Sequence, residues 1–145
     1  MKLPVILDRA GLDELAATRP SSTIRALLGE AWARQRSVVV PALVCAEVCR
    51  TAARTRAVEA VLSRHDANSG ERPAIEVVDT TFDLARSVGA ILSRSRAGSE
   101  DIVDAHVVAV AARHGGGLVV TSDPDDITRL ADAVPAARII VRPAG

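Results

Sequence analysis

The stretch that most constrains this fold runs over residues 99–117, SEDIVDAHVVAVAARHGGG. At about 100° per residue, its pattern predicts a helix with valine and alanine on nearly every side. Only His106 and Arg113 share a clearly polar direction, so we expect His106 at the surface. A helix that is apolar almost all round is a buried one. The chain is therefore expected to pack the rest of its fold around this helix.

Two acidic residues at the start of this helix do not fit a purely structural role. Asp101 and Asp104 are three apart and hence neighbours on one side, in line with Ala105 and Val108. Carboxylates that face a packed interior are costly unless a positive group meets them. No lysine or arginine follows one turn after Asp104 on that side, so the pattern predicts a metal ion or a cation distant in sequence. A favourable interaction with the helix dipole is the alternative explanation for Asp101.

The rest of the chain alternates short apolar segments with amphipathic helices and shows no tight-turn hairpin signal. This pattern predicts one domain, residues 1–145, with a three-layer α/β/α sandwich around a mostly parallel sheet. Pro41 is expected in the first turn of a helix over residues 42–51, a loop over residues 68–73, and a helix stop at residues 115–117. The predicted strands cover residues 3–7, 37–40, 75–78, 118–121 and 138–141.

Composition excludes several classes of protein. The formal net charge is zero, which argues against bulk electrostatic coating of nucleic acid but not against a nuclease with an acidic site and a basic rim. No apolar run reaches the roughly 18 residues of a membrane helix, and the first residues do not resemble a signal peptide. Cys45 and Cys49 lie four apart and are expected to be reduced, which predicts a cytoplasmic protein. The three histidines lie far from this pair, so zinc is disfavoured.

Acidic residues from four segments converge on one predicted edge of the sheet. Asp8 and Asp123 follow strands, Glu47 lies near the start of the helix after the second strand, and Asp101 and Asp104 begin the buried helix. In open parallel sheets, sites form beyond the carboxyl ends of the strands. Close carboxylates repel one another, and Mg²⁺ or Mn²⁺ prefers oxygen ligands. Taken alone, Asp8 could be explained as a turn residue and Asp123 as a helix N-cap. Taken together, the acids predict a metal site.

Four segments carry a resemblance to a known family: VILDRAGLDELA, VVVPALVCAEVCR, EDIVDAHVVAVAARHGG and LVVTSDPDDITRL. They resemble the acidic motifs of the PIN domain, and their order and spacing are most similar to those of VapC toxins from bacterial toxin–antitoxin pairs. The resemblance covers essentially the whole chain. It matches the family's four metal-site acids with Asp8, Glu47, Asp104 and Asp123, and an extra acid found in a subset with Asp101. Thr121 or Ser122 matches a small hydroxyl residue that helps to order the last acid.

The resemblance implies a Mg²⁺- or Mn²⁺-dependent endoribonuclease that cleaves RNA phosphodiester bonds. It also implies a homodimer and inhibition by a small VapB-like antitoxin protein. The RNA target and the number of metal ions stay open. So does the role of Arg50, Arg54 and Arg56, which either contact RNA phosphate or form a solvated face. Asp126 either caps the last helix or reaches the metal edge.

Other acidic α/β classes fit less well. A phosphoryl-accepting receiver needs an acid pair after the first strand and a lysine after the last, but the only lysine here is Lys2. A haloacid-type phosphatase needs Asp-x-Asp after the first strand, where this chain has Asp8, Arg9 and Ala10. The remaining alternative is a PIN-like RNA-binding or scaffold protein without cleavage activity. Such a protein would usually lack one of the acids, and none is missing here.

Overall fold

A five-stranded parallel sheet forms the centre of the computed structural model, which describes residues 2–66, 70 and 72–144. The strands lie in the order β3-β2-β1-β4-β5. In the central register, Ile6 of β1 pairs with Val39 of β2 and with Val119 of β4. The strands are β1 (Val5–Leu7), β2 (Val38–Pro41), β3 (Ile75–Val78), β4 (Gly116–Thr121) and β5 (Arg138–Pro143).

Helices cover both faces of this sheet. Right-handed crossovers place the helices before β3 on one face and those after it on the other, and the contacts within each group agree with this arrangement. The predicted α/β class and parallel sheet are confirmed. The helices are α1 (Arg9–Ala16), α2 (Ser22–Ala33), α3 (Ala42–Val48), α4 (Ala52–Arg64), α5 (Phe82–Arg94), α6 (Ile102–Arg113) and α7 (Pro124–Ala131).

The predicted buried helix is α6, preceded by a short 3₁₀ turn over Ser99–Asp101. Every residue from Ala105 to Ala111 is buried, including His106, which is only 3% exposed. The expectation of a surface His106 was therefore wrong, because α5 and α7 also pack against this helix. The His106 Nδ1 lies 2.8 Å from the carbonyl oxygen of Ile102. Its Nε2 is buried and lacks a hydrogen-bond partner within the described part of the chain.

Several element boundaries differ from the sequence-based expectation because side-chain caps decide them. The sequence suggests a short helix over residues 11–17, but α1 begins at Arg9, since Asp8 caps it. Helix α3 ends at Val48, and α4 begins at Ala52, because the Thr51 hydroxyl accepts a hydrogen bond from the Arg54 amide at 3.1 Å. Pro41 closes β2 and does not open a helical turn.

The glycines at residues 115–117 do more than end a helix. Of the three glycines, Gly115 alone lies outside the sheet, after the C-cap residue His114, while Gly116 and Gly117 already belong to β4. Gly116 has φ +143°, and a Cβ there would lie 2.1 Å from the Arg138 carbonyl oxygen, so β4 and β5 approach one another too closely for a side chain. The loop expected over residues 68–73 lies partly outside the described residues.

None of the helices in the described ranges has both the length and the apolar character needed to cross a bilayer.

Candidate metal centre

The acidic residues gather at the carboxyl edge of the sheet, next to the two central strands β1 and β4. From β1 the chain winds toward β3 on one side, and it then returns to place β4 on the other side of β1. This reversal of strand order leaves a crevice beyond the strand ends, which is where open α/β sheets bind ligands. Asp8 follows β1 directly, and Asp123 follows β4 after one residue.

Asp8 lies at the bottom of this crevice and is only 4% exposed. Its Oδ1 accepts a hydrogen bond from the Gly11 amide at 3.0 Å and so caps α1. The cap holds the carboxylate at the positive end of the helix dipole. It also fixes the side chain in one orientation beside the crevice.

Thr121, the last residue of β4, connects the two strand-end acids. Its buried hydroxyl accepts a hydrogen bond from the Asp123 amide at 2.9 Å and also hydrogen bonds to the Asp8 side chain. Asp123 occupies the N-cap position of α7, but its carboxylate makes no capping hydrogen bond and is left facing the crevice. Ser122 lines the crevice and is exposed.

Helices α3 and α6 supply further acids. Glu47 lies in the last turn of the seven-residue α3, not near its start as expected, but the helix is so short that Glu47 still reaches the same edge. Asp104 lies in the first turn of α6, and Asp101 is its N-cap residue. All five predicted acids line one cavity of about 350 Å³. We call this cavity the acid cleft; its carboxylates come from Asp8, Glu47, Glu100, Asp101, Asp104, Asp123 and Asp126.

Within the acid cleft, three carboxylates lie closest together. Oxygen atoms of Asp101, Asp104 and Asp126 all lie within 4.8 Å of one another. Sequence reasoning gave Asp126 little weight, although it follows Asp123 by three residues and so shares a side of α7 with it. That spacing was the available signal.

Arg129 of α7 is the one arginine that the described chain pairs with these three acids. Its Nη2 lies 3.2 Å from Asp101 and 3.3 Å from Asp126. The predicted cation distant in sequence is therefore present as Arg129, but it pairs with Asp101 and Asp126 and not with Asp104. Asp104 has no ion pair with any described lysine or arginine, so it fits the metal explanation better than Asp101 does.

The electrostatics of the cleft follow from this uncompensated charge. Burial, followed by repulsion from Asp123, Asp8, Asp126 and Glu47, raises the pKa of Asp104 to about 6. Burial also raises the pKa of Asp8, against the lowering effect of its hydrogen bonds with Thr121 and Gly11. An all-oxygen donor set with excess negative charge suits a hard divalent cation such as Mg²⁺ or Mn²⁺. The residues present thus fit such an ion.

The cysteines and histidines lie outside this centre. Cys45 and Cys49 are both free, and the His65 Nδ1 lies 3.1 Å from the Pro73 carbonyl oxygen. None of these side chains, nor His106 or His114, lines the acid cleft.

Comparison with protein families shows to which family the chain belongs. The family model of the PIN domain matches residues 15–133. This chain is a PIN domain. The match includes Glu47, Asp101, Asp104 and Asp123 and begins after Asp8. A search of curated proteins finds no significant match.

Solved structures share the fold of this PIN domain. VapBC2 from Rickettsia felis, bound to a promoter DNA fragment, superposes with a TM-score of 0.63 at 16% identity, covering 97% of this chain and 98% of that one. FitAB bound to an IR36 DNA fragment gives 0.57 at 16% identity, with 97% and 94% covered. FitAcB from Neisseria gonorrhoeae gives 0.55 at 17% identity, with 94% and 96% covered.

Proposed function

We propose that this PIN domain is a Mg²⁺- or Mn²⁺-dependent endoribonuclease, the toxin of a VapC-type toxin–antitoxin pair. The observation that carries the proposal is the convergence of Asp8, Glu47, Asp104 and Asp123 on one cleft at the switch point of the sheet. Family membership supports a hydrolase that acts on nucleic acid. The choice of RNA and the assignment as a toxin are our inference from the resemblance of the motifs.

The chain's own residues would hold the ion in a prepared site. The hydrogen bonds from the Gly11 amide and with Thr121 hold the Asp8 carboxylate in one orientation at the cleft. Thr121 fixes the backbone of Asp123, while Asp104 and Glu47 contribute from the helices. Asp101 is a further candidate ligand, although it shares its charge with Arg129. When bound, a divalent cation lowers the pKa of a water molecule and stabilises a phosphate during in-line attack.

Asp104 sets the pH range in which the cleft can bind a cation. With a pKa of about 6, its carboxyl is mostly ionised above pH 7 and protonated below pH 5. A proton and a metal ion compete for the same oxygen atoms. Metal binding is therefore favoured at neutral and alkaline pH.

The direct test is cleavage of a fluorogenic single-stranded RNA by the purified chain. We expect cleavage in Mn²⁺ or Mg²⁺, loss of cleavage in EDTA, and recovery when the metal is restored in excess. DNA of the same sequence serves as the matched substrate and is expected to stay intact. Undiminished RNA cleavage in EDTA would contradict the metal mechanism, and equal cleavage of DNA would contradict the substrate assignment. Absence of cleavage under all conditions would favour the non-catalytic RNA-binding alternative.

We also propose that a small antitoxin blocks the acid cleft with a cation, and that the toxin forms a homodimer. The antitoxin is implied by the resemblance of the motifs to those of VapC toxins, and the solved structures of VapBC2 and FitAB share the fold of this chain. Arg129 illustrates how one guanidinium can bind two acids of the cleft at 3.2 and 3.3 Å. An arginine from a partner would make charge-assisted hydrogen bonds of the same kind with Asp8, Asp104 and Asp123.

The path of the antitoxin tail can be specified further. Trp32 of α2 is 46% exposed and lines a cavity of about 550 Å³ with mixed polar and apolar walls at the start of β2 and β3. The sequence suggests Leu28 of the same helix as a second contact for such a tail, but Leu28 is only 6% exposed and belongs to the core. An apolar helix on α2 would therefore contact Trp32 and not Leu28.

Co-expression with candidate small antitoxin proteins tests this mode of inhibition. We expect the full-length partner to suppress RNA cleavage, and a partner truncated at its C-terminal tail to suppress it much less. A tail variant with its arginines replaced by glutamine separates the effect of charge from that of length. Equal inhibition by the tail-less partner would show that the cleft is not blocked in this way.

A further inference from the structure

The charge of the acid cleft creates a problem for a polyanionic substrate. Seven carboxylates line the cavity, and Arg9 is the only basic residue among its lining residues in the described chain. A bound divalent cation neutralises only part of this charge. Phosphate binding depends on nearby cations, so the basic residues beside the cleft decide from which side RNA can approach.

A cluster of two arginines and one acid lies beside the cleft on the α1 and α4 side. Asp13 of α1 accepts a hydrogen bond from Arg54 of α4, and the Arg9 Nη1 lies 3.7 Å from the second oxygen of Asp13. We call these three residues the Asp13 cluster. Arg9 also lines the acid cleft, whereas Asp13 and Arg54 line a separate cavity between α1 and α4, so Arg9 connects the cluster to the cleft.

The arginines of the Asp13 cluster are available to a ligand. The side chains of Arg9 and Arg54 are 51% and 53% exposed, while that of Asp13 is 27% exposed. One carboxylate neutralises only one of the two guanidinium charges. Ion pairs at such exposed positions contribute little to stability, so either arginine can exchange Asp13 for a phosphate at small cost.

On the opposite side of the cleft, the arginine is less available to bind a phosphate. Arg129 lies there, but it is paired with two acids of the cleft itself. Moving Arg129 onto a phosphate would leave Asp101 and Asp126 without their cation. Moving Arg54 onto a phosphate leaves Asp13 still close to Arg9.

We propose that Arg9 and Arg54, which pair with Asp13 in the free protein, exchange it for the phosphate backbone of the RNA where the RNA approaches the acid cleft. This inference rests on the proposed ribonuclease function and specifies its substrate-binding side. Guanidinium groups suit this role because they donate two parallel hydrogen bonds to phosphate oxygens. The inference also selects Arg54 from the three arginines whose role the sequence leaves open.

Two substitutions separate RNA binding from a merely structural role. Arg54→Ala and Asp13→Asn both break the same ion pair, so a structural role predicts the same effect for both. A phosphate-binding role predicts a difference, because Arg54→Ala removes a cation, whereas Asp13→Asn frees both arginines. We expect Arg54→Ala to raise KM about fourfold at 0.15 M salt with kcat unchanged. This value follows because each phosphate contact with a single strand contributes about 0.7 to the slope of log affinity against log salt concentration. Losing one contact makes that slope shallower by the same amount.

The chain offers a matched control at a second acid with two arginines. Asp83 of α5 pairs with Arg86 and with Arg113, the latter at 2.5 Å. Arg113 follows Asp104 by nine residues in α6, which corresponds to about 14 Å of helix rise. Arg113→Ala and Asp83→Asn are therefore expected to leave KM and its salt dependence unchanged.

The experiment measures kcat and KM on the fluorogenic RNA over a series of NaCl concentrations, and anisotropy of the same RNA in EDTA. Support requires a raised KM and a shallower salt slope for Arg54→Ala, with neither change for Asp13→Asn. If the wild type cleaves RNA but Arg54→Ala leaves KM and the salt slope unchanged, the phosphate-binding role of the Asp13 cluster is overturned. Equal weakening of RNA binding by Arg54→Ala and Asp13→Asn overturns it as well. Neither result contradicts the proposed nuclease function. If the wild type neither cleaves nor binds RNA, the proposed function fails and this inference fails with it. RNA that binds through Arg54 but is not cleaved would leave the cluster standing and refute the nuclease.

Discussion

Asp104→Asn is expected to lower RNA cleavage by more than about 100-fold while the protein stays folded. Asp104 is the cleft acid with a pKa raised to about 6 and no ion-pair partner among the described residues, so it is the acid most in need of a bound cation. Even residues that only support metal ligands cost about 10- to 100-fold when they are replaced. Asparagine keeps the shape of the side chain but removes the charge that binds the ion. The measurement is kcat/KM on the fluorogenic RNA in saturating Mn²⁺.

The matched control for this substitution is Asp83→Asn. Asp83 is also an aspartate in the first turn of a helix, but its side chain is 64% exposed and pairs with two surface arginines. We expect its variant to cleave at the wild-type rate. Cleavage by Asp104→Asn within tenfold of the wild type would remove Asp104 from the metal centre.

Asp104→Asn is also expected to stabilise the metal-free protein at neutral pH. The pKa of Asp104 is about 6 in the folded chain and 3.8 without perturbation, so the folded state binds this proton more tightly than the unfolded state does. Ionisation therefore costs stability as the pH rises from about 4 to 6, and the cost is constant above that range. Two pKa units correspond to about 3 kcal/mol, which partial solvent exposure reduces to about 2 kcal/mol.

Thermal melts in EDTA test this expectation. At pH 7.5, Asp104→Asn should melt about 4 to 8 °C above the wild type, since each kcal/mol shifts the Tm of a chain of this size by about 2 to 4 °C. At pH 4.5 the difference should fall to about a third of that value, because the unfolded state is then already largely ionised at this residue while the folded state is not. Added Mn²⁺ should raise the Tm of the wild type more than that of the variant. A variant that melts below the wild type at pH 7.5 in EDTA would show that Asp104 has a structural partner.

The sequence was sufficient for the fold and for the convergence of the acids, for reasons that are local. Alternating strands and helices allow few parallel topologies, and an acid directly after a strand, such as Asp8, has only one edge on which to lie. The buried helix α6 was predicted from its lack of a polar side. Its polar residue His106 was misplaced because periodicity shows directions around a helix but not how many neighbours pack on it.

Contacts between distant side chains could not be predicted in this way. The pairing of Arg129 with Asp101 joins residues 28 positions apart, and that of Arg54 with Asp13 joins residues 41 apart. Both depend on how two helices lie relative to one another, which no local pattern specifies. The caps at Asp8 and Thr51 depend only on residues close in sequence. Because several polar residues near each helix start could act as the cap, the sequence did not define where each helix begins.

The position of β1 between β2 and β4 has a consequence during translation. Asp8 precedes Asp123 by 115 residues, and β1 acquires its neighbour β4 only when both have left the ribosome. At about 5 to 20 residues per second, that interval is roughly 6 to 23 s. The two strand-end acids therefore cannot meet on a nascent chain until Asp123 has also been synthesised and has left the ribosome. For the proposed ribonuclease, the messenger being translated faces no completed centre until β4 has emerged.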